Sequence, residues 1–181
     1  MHLEPQIIYP GQFLLATELL DGTDFEKAVI LLLDHDEKEG SYGIVINNHS
    51  HIPLNEVFSG LPHNDWKTEP FFLGGPVDDS KVQILQLSKS LTIEPQELLP
   101  GIYMGGRVEN SLTAMEEMLF SDHSRLILGY SGWGIGQLSQ ELSKGAWKVY
   151  STNPLKVLNC QIDELKLSPD EFQHKFEELS A

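Results

Sequence analysis

The chain holds a single cysteine, Cys160, among 181 residues. An intramolecular disulfide and a cysteine-rich zinc site are thereby excluded, and a reducing compartment is favoured. Long apolar runs are missing too: the longest, AVILLL at 28–33, falls far short of the ~20 residues a membrane span requires. The opening MHLEPQIIYPGQ has no basic stretch leading into an apolar core, so no secretory signal is read there. Basic residues are scarce, 12 against 27 acidic ones, for a formal charge of −15. Such a chain repels a phosphate backbone unless a local patch reverses the field, and only isolated pairs such as Lys144 and Lys148 occur. The expectation is a cytoplasmic protein that neither enters a membrane nor binds nucleic acid directly. Repeats and low-complexity linkers are also lacking, so residues 1–181 are read as one domain, long enough to bury close to ~70% of its unfolded surface.

What is present is a series of short apolar runs. QFLLATE (12–18), AVILLLDHD, YGIVIN, FFLGGPV, KVQILQL, GIYMGG, RLILGY and AWKVYS read as strands, the second buried on both faces. The residues DEKEGS between the second and third runs suit a hairpin loop, so those two strands are expected to pair antiparallel. Helices are predicted at PLNEVF, where Leu54, Val57 and Phe58 share a face behind Pro53, and at ENSLTAMEEMLF behind Asn110 as N-cap. Two more follow, QLSQELSK stopped by Gly145, and residues 168–180, where Ser168 and Glu171 form a capping box and Phe172, Phe176 and Leu179 one apolar stripe. Strands outnumber helices without strict alternation, which predicts an α+β fold with a mixed sheet.

The densest chemistry lies in LGYSGWGIGQLSQEL, residues 128–142. Gly132, Gly134 and Gly136 have G-x-G-x-G spacing, not the G-x-G-x-x-G of a dinucleotide site, and no phosphate-binding G-x-x-x-x-G-K-[ST] occurs. The nucleophile elbow G-x-S-x-G fails as well, because Gly129-Tyr130-Ser131-Gly132 is followed by Trp133. What remains is a strand, a glycine-rich turn and a helix start at Gln137, whose free amides would attract an anion. The plainer reading is a sharp reversal that Trp133 seals against the core. A positive φ at Gly134 would make Gly134→Ala destabilising by ~1 kcal/mol or more.

Other groups are weaker. Asp34 and Asp36 should flank His35 from the opposite face of a strand and so cannot form a triad with it. His49, His51 and the more distant His63 could hold a metal if their loop folded back, but they lack a thiolate partner or a helix to fix them, and the stronger reading is exposed loop histidines; no metal or cofactor is predicted. The glycine pairs Gly74–Gly75 and Gly105–Gly106 each close an apolar run and suggest two similar strand exits on one rim. Cys160 has no basic neighbour in sequence nearer than Lys156, so nothing marks it as an activated nucleophile.

GQFLLAT, AVILLLDHD with GSYGIVIN, FFLGGPV, IYMGG and above all GYSGWGIGQL with GAWKVY resemble, in order and spacing, the YqgE/AlgH family of bacterial proteins. The resemblance runs from about Gly11 to Tyr150. It implies a single α+β domain with a mostly antiparallel, partly barrel-like sheet and flanking helices, in the bacterial cytoplasm. The family has no established activity and is labelled a group of transcriptional regulators, after one member tied to exopolysaccharide production. Where the family has Asn, a basic residue and Pro after the third strand, this chain has Asn47-Asn48-His49; where an acid often follows the second glycine pair, it has Arg107.

The favoured function is therefore a non-catalytic regulatory protein that binds a small molecule or a protein partner. Its candidate residues are Gly74, Gly75, Gly105, Gly106, Tyr130, Ser131, Gly132, Trp133, Gly134, Gly136, Gln137, His35 and Asn47. An enzyme, hydrolase-like, using His35 with Asp34, or Ser131, is the alternative. A direct DNA-binding regulator is a third, opposed by the charge.

Overall fold

A computed structural model describes residues 6–53, 56, 71–108, 112–119 and 121–179. The predicted helix at PLNEVF falls almost wholly outside the described residues, as do the predicted cap Asn110 and His63.

Among the described residues, ten strands form one sheet. They are β1 (Phe13–Ala16), β2 (Val29–Asp36), β3 (Gly40–Val45), β4 (His49–Ser50), β5 (Phe71–Leu73), β6 (Val77–Gln86), β7 (Gln96–Leu99), β8 (Ile102–Met104), β9 (Ser124–Trp133) and β10 (Trp147–Tyr150). Their order is β10-β1-β2-β3-β9-β6-β8-β7, and β5 bridges β4 and β9. Every pairing is antiparallel except β5 beside β9. The order is open, with β10 and β7 as its ends, so the sheet does not close into a barrel.

Strand β9 joins the two halves. Antiparallel β6 occupies one of its edges, while β3 at Ser131–Trp133 and β5 at Ile127–Leu128 share the other. The β2–β3 hairpin forms as expected, but the strands run further and leave only residues 37–39 in the loop. Asp36 accepts the amides of Lys38 and Glu39 at 2.7 and 3.0 Å, an aspartate-closed turn.

Alternation along β2 divides the core. Val29, Leu31 and Leu33 face one side and Ile30 and Leu32 the other, all of them buried. On the first side lie Phe13, Ile44 and the C-terminal segment: helix α3 (Pro154–Leu158), the 3₁₀ turn Ile162–Leu165 and helix α4 (Pro169–Glu178). Phe172 packs on Phe13 with ring centroids 5.1 Å apart, and Phe176 is fully buried beside it. The tail beyond Tyr150 is thus part of the core, not an appendage to the motifs. Its capping box is present, whereas Leu179 leaves the predicted stripe and is 52% exposed at the C-cap. On the second side lie Trp133, Trp147 and Leu138 of helix α2 (Gln137–Ser143). A smaller cluster, Phe71, Met118, Leu119 and Leu126, sits under helix α1 (Leu112–Leu119).

Candidate functional site

The glycine-rich stretch is mostly strand. β9 continues through Gly129, Ser131 and Gly132 to Trp133, and only Gly134, Ile135 and Gly136 turn before α2. This corrects the expectation of a long glycine turn with free amides. Gly134 N donates to Gln137 Oε1 at 3.0 Å, and Gln137 N donates back to Gly134 O at 3.0 Å. Gln137 Nε2 in turn holds Glu141 Oε1 at 2.9 Å. Trp133 is buried in the core, with its indole on the same glutamate. Gly134 has no positive φ; Gly136, the N-cap of α2, has φ +70°.

The other glycines permit close approach of backbones. A Cβ on Gly75 would stand 2.3 Å from Tyr130 O, and one on Gly74 2.6 Å from Gly129 O. Ser131 is fully buried beside them and donates to Gly74 O at 3.0 Å. Here β5 leaves β9, and side chains would hold the two strands apart. Gly105 and Gly106 serve a different contact: Gly105 O accepts from Gln86 Nε2 at 2.6 Å, and a Cβ on Gly106 would strike Thr92 Oγ1 at 2.1 Å. Met104 is level with Leu85 and hence Arg125, whereas Gly75 abuts Tyr130. Five residues of β9 separate the levels, about 17 Å. The two glycine pairs therefore do not share a rim.

His35 faces Ser41 across the hairpin, Nδ1 to Oγ at 2.8 Å. Asp34 and Asp36 are exposed on either side of the half-buried His35, and among the described residues the imidazole's hydrogen bond goes to Ser41, not to a carboxylate. Tyr130 packs against Tyr42 at a tilt of 53° with centroids 5.2 Å apart; the Tyr42 hydroxyl donates to Gln83 Oε1 at 3.0 Å, and burial holds that phenol above its ordinary pKa. Burial likewise raises the Cys160 thiol above its ordinary pKa, which disfavours the thiolate. His49 corrects the exposed-loop reading. It lies on β4, its side chain is 2% exposed, and its Nε2 is 2.9 Å from Asp163 Oδ1, with His51 Nε2 at 3.7 Å from the same oxygen.

Asn47, one of the predicted residues, does not line a cleft itself but is tied to the backbone of one. Its Oδ1 accepts from Val29 N at 2.8 Å, and its Nδ2 donates to Lys27 O at 2.8 Å and Leu167 O at 2.7 Å. Lys27 adopts φ +56°, a left-handed conformation uncommon for a residue with a side chain, and Asn47 holds its carbonyl there. Lys27 and Ser168, next to Leu167, form two walls of a cleft of about 450 Å³. Leu15, Ala16 and Thr17 at the end of β1 also line it, with Lys148, the partner of Leu15 on the neighbouring β10. Glu18, Asp21 and Asp170 complete the rim, so both signs of charge converge on a volume suited to a small molecule. Sequence reasoning missed this cleft because its walls come from four separate segments. The one available signal was Asn47 itself.

A family model described as AlgH-like matches residues 13–167. A UPF0301 protein of Chlorobaculum tepidum is 34% identical over 163 residues, covering 90% of this chain and 85% of its own. Another, from Streptomyces coelicolor, is 37% identical over 147 residues, covering 80% and 76%. Among solved structures, the AlgH protein of Pseudomonas aeruginosa superimposes with a TM-score of 0.73 at 28% identity over 97% of both chains. A Corynebacterium diphtheriae protein shares the fold, with a TM-score of 0.61 at 23% identity over 84% of this chain and 80% of its own.

Proposed function

Because this chain belongs to the AlgH-like family, we propose that it is a non-catalytic regulatory protein of the bacterial cytoplasm that takes up a small anionic ligand in the cleft between β1, β10 and the head of α4. The observation that carries this reading is the pairing of Lys27 and Lys148 on one cleft. The two lysines share the cavity with three carboxylates, Glu18, Asp21 and Asp170, and Lys27 Nζ also lies 4.0 Å from Glu26 Oε1, so the lining is mixed in sign and suits a ligand that carries an anionic group together with a hydroxyl or amine. Asn47 and the left-handed turn at Lys27 pre-set one wall, which lowers the ordering cost of binding. An anionic group between the lysines, with a hydroxyl or amine toward Glu18, Asp21 or Asp170, matches the lining. The regulatory half of the reading follows the family's label.

The enzyme alternative has less support. Ser131 Oγ is buried and donates to a carbonyl, His35 bonds Ser41 and not a carboxylate, and Asp34 is exposed, so the groups named for catalysis do not converge. Direct DNA binding is opposed by the charge.

The test is a thermal-unfolding screen against nucleotides, di- and tricarboxylates and sugar phosphates. A ligand at a hundred times its Kd stabilises by about 2.7 kcal/mol, a rise of roughly 5–10 °C for a chain of this size. Lys27→Ala with Lys148→Ala should abolish that rise while leaving the ligand-free midpoint close to the parent's. A ligand whose shift survives both substitutions would place binding elsewhere and overturn the reading.

A further inference from the structure

The geometry points to a second site, independent of the cleft: His49, His51 and Asp163 bind a divalent transition metal of the zinc class. Their three donor atoms lie within 4.8 Å of one another. The two imidazole Nε2 atoms stand 2.9 and 3.7 Å from Asp163 Oδ1. Ligands about 2.0–2.1 Å from a tetrahedral zinc are about 3.3 Å apart; the two separations from Asp163 Oδ1 bracket that value, and the imidazole donors, within 4.8 Å of each other, would close together around the ion.

The chain builds this arrangement from two distant segments. Alternation along extended backbone sets residues two apart on one face, which is how His49 and His51 come to point together. Pairing of β4 with β5, His49 opposite Phe72, pins that backbone, and Leu73 N adds a bond to Asn48 O at 2.9 Å. Asp163 comes from the 3₁₀ turn Ile162–Leu165, whose Ile162 and Leu165 are buried and so turn the carboxylate outward. The side chains of His49, His51 and Asp163 are 2, 50 and 71% exposed. One buried ligand therefore fixes the position, and two outer ones leave an open side where water can complete the shell.

Two imidazoles and a carboxylate are a donor set suited to zinc and its neighbours, and three protein ligands with one open position is the arrangement of exchangeable sites. The net charge of −15 draws cations. His49 Nδ1 is buried with no hydrogen-bond partner among the described residues, so the usual outer-shell support of a ligating histidine is missing. Affinity should accordingly fall about 10–100-fold below that of a fully supported site. A simple imidazole–carboxylate contact tying β4 to the C-terminal segment would also use His49 and Asp163, but it has no need of His51. That difference makes the question decidable.

The experiment titrates zinc ion alone into chelator-treated full-length protein by calorimetry, and cobalt(II) by visible absorption. The expected result is one ion per chain, a raised unfolding midpoint, and cobalt bands of nitrogen–oxygen ligation. His51→Gln and Asp163→Asn, both at exposed side chains, should each weaken binding about tenfold or more, with circular dichroism unchanged. Absence of stoichiometric binding in the parent would overturn the site. So would binding that is unaffected by either substitution.

Discussion

Trp133 and Trp147 stand edge to face with ring centroids 5.9 Å apart, and both indoles donate to one oxygen, Glu141 Oε2, at 2.9 and 2.7 Å. Both rings are buried, and Phe25 lies against each. Glu141 is therefore the polar anchor of the second core. Glu141→Ala should cost about 2–4 kcal/mol, since each buried donor left unpaired costs ~1–3 kcal/mol. Glu141→Gln should lose roughly half as much: its amide oxygen can still accept from both indoles, but its amide nitrogen then meets Gln137 Nε2, donor against donor. Urea unfolding followed by tryptophan fluorescence measures both. An alanine variant as stable as the parent would mean that the indoles reach water.

The glycines rank differently from what their spacing suggests. Gly75→Ala should destabilise by more than about 3 kcal/mol or prevent folding, because the new methyl meets Tyr130 O at 2.3 Å, a backbone atom that cannot step aside. Gly136→Ala has open space but a left-handed φ of +70°, and should cost about 1–2 kcal/mol. Gly134→Ala, whose nearest neighbour would be Gln137 Oε1 at 3.8 Å, should lie within about 0.5 kcal/mol of the parent. Thermal midpoints of the three variants in one buffer decide the order.

These contrasts show what local sequence carries. The apolar run Val29–Leu33 announced a strand buried on both faces, and Ser168 with Glu171 announced a helix start, because each signal is complete within a few residues. A glycine is ambiguous: the same residue can free a turn or admit a neighbouring backbone, and the neighbour of Gly75 is Tyr130, far along the chain. β7 was missed because QELL between two prolines has no alternation, and its pairing with β8 makes the strand. Helix α3 was missed although Asn153 and Pro154 are a standard start, Asn153 Oδ1 accepting from Leu155 N at 3.0 Å. The His49–Asp163 contact joins positions 114 residues apart, and the cleft assembles from four segments. Neither leaves a local pattern.

Asn47 tests whether the cleft walls are coupled. Asn47→Ala removes an acceptor from the amide of buried Val29 and a donor from two carbonyls, and should cost about 2–3 kcal/mol. Asn47→Asp is nearly isosteric but, when ionised, can only accept, so it would set an oxygen against Lys27 O and Leu167 O. The aspartate variant is therefore expected to be no more stable than the alanine one at neutral pH. Chemical denaturation gives the ranking, and faster hydrogen exchange at Val29 N in both variants would localise the damage. An aspartate variant close to the parent would show that the Nδ2 bonds contribute little.

Glu171 ties the head of α4, and with it one cleft wall, to pH. Ser168 N donates to its Oε2 at 2.8 Å and Ser168 Oγ at 2.7 Å, and these bonds, the backbone one foremost, hold its carboxyl below the ordinary 4.5. A group with a depressed folded pKa binds protons less readily when folded, so its contribution is complete above 4.5 and is lost as pH falls through the lowered value. Parent and Glu171→Gln should then differ most near neutrality and converge in acid, where the parent's carboxyl is protonated and both side chains are neutral. Ser168→Ala, which removes the hydroxyl but leaves the backbone donor, should narrow the gap without closing it. Urea midpoints across the acid range supply the curves. If parent and Glu171→Gln ran parallel at every pH, the cap would owe nothing to the charge of Glu171, and the geometry of two donors on one oxygen would have to be explained by neutral hydrogen bonding alone.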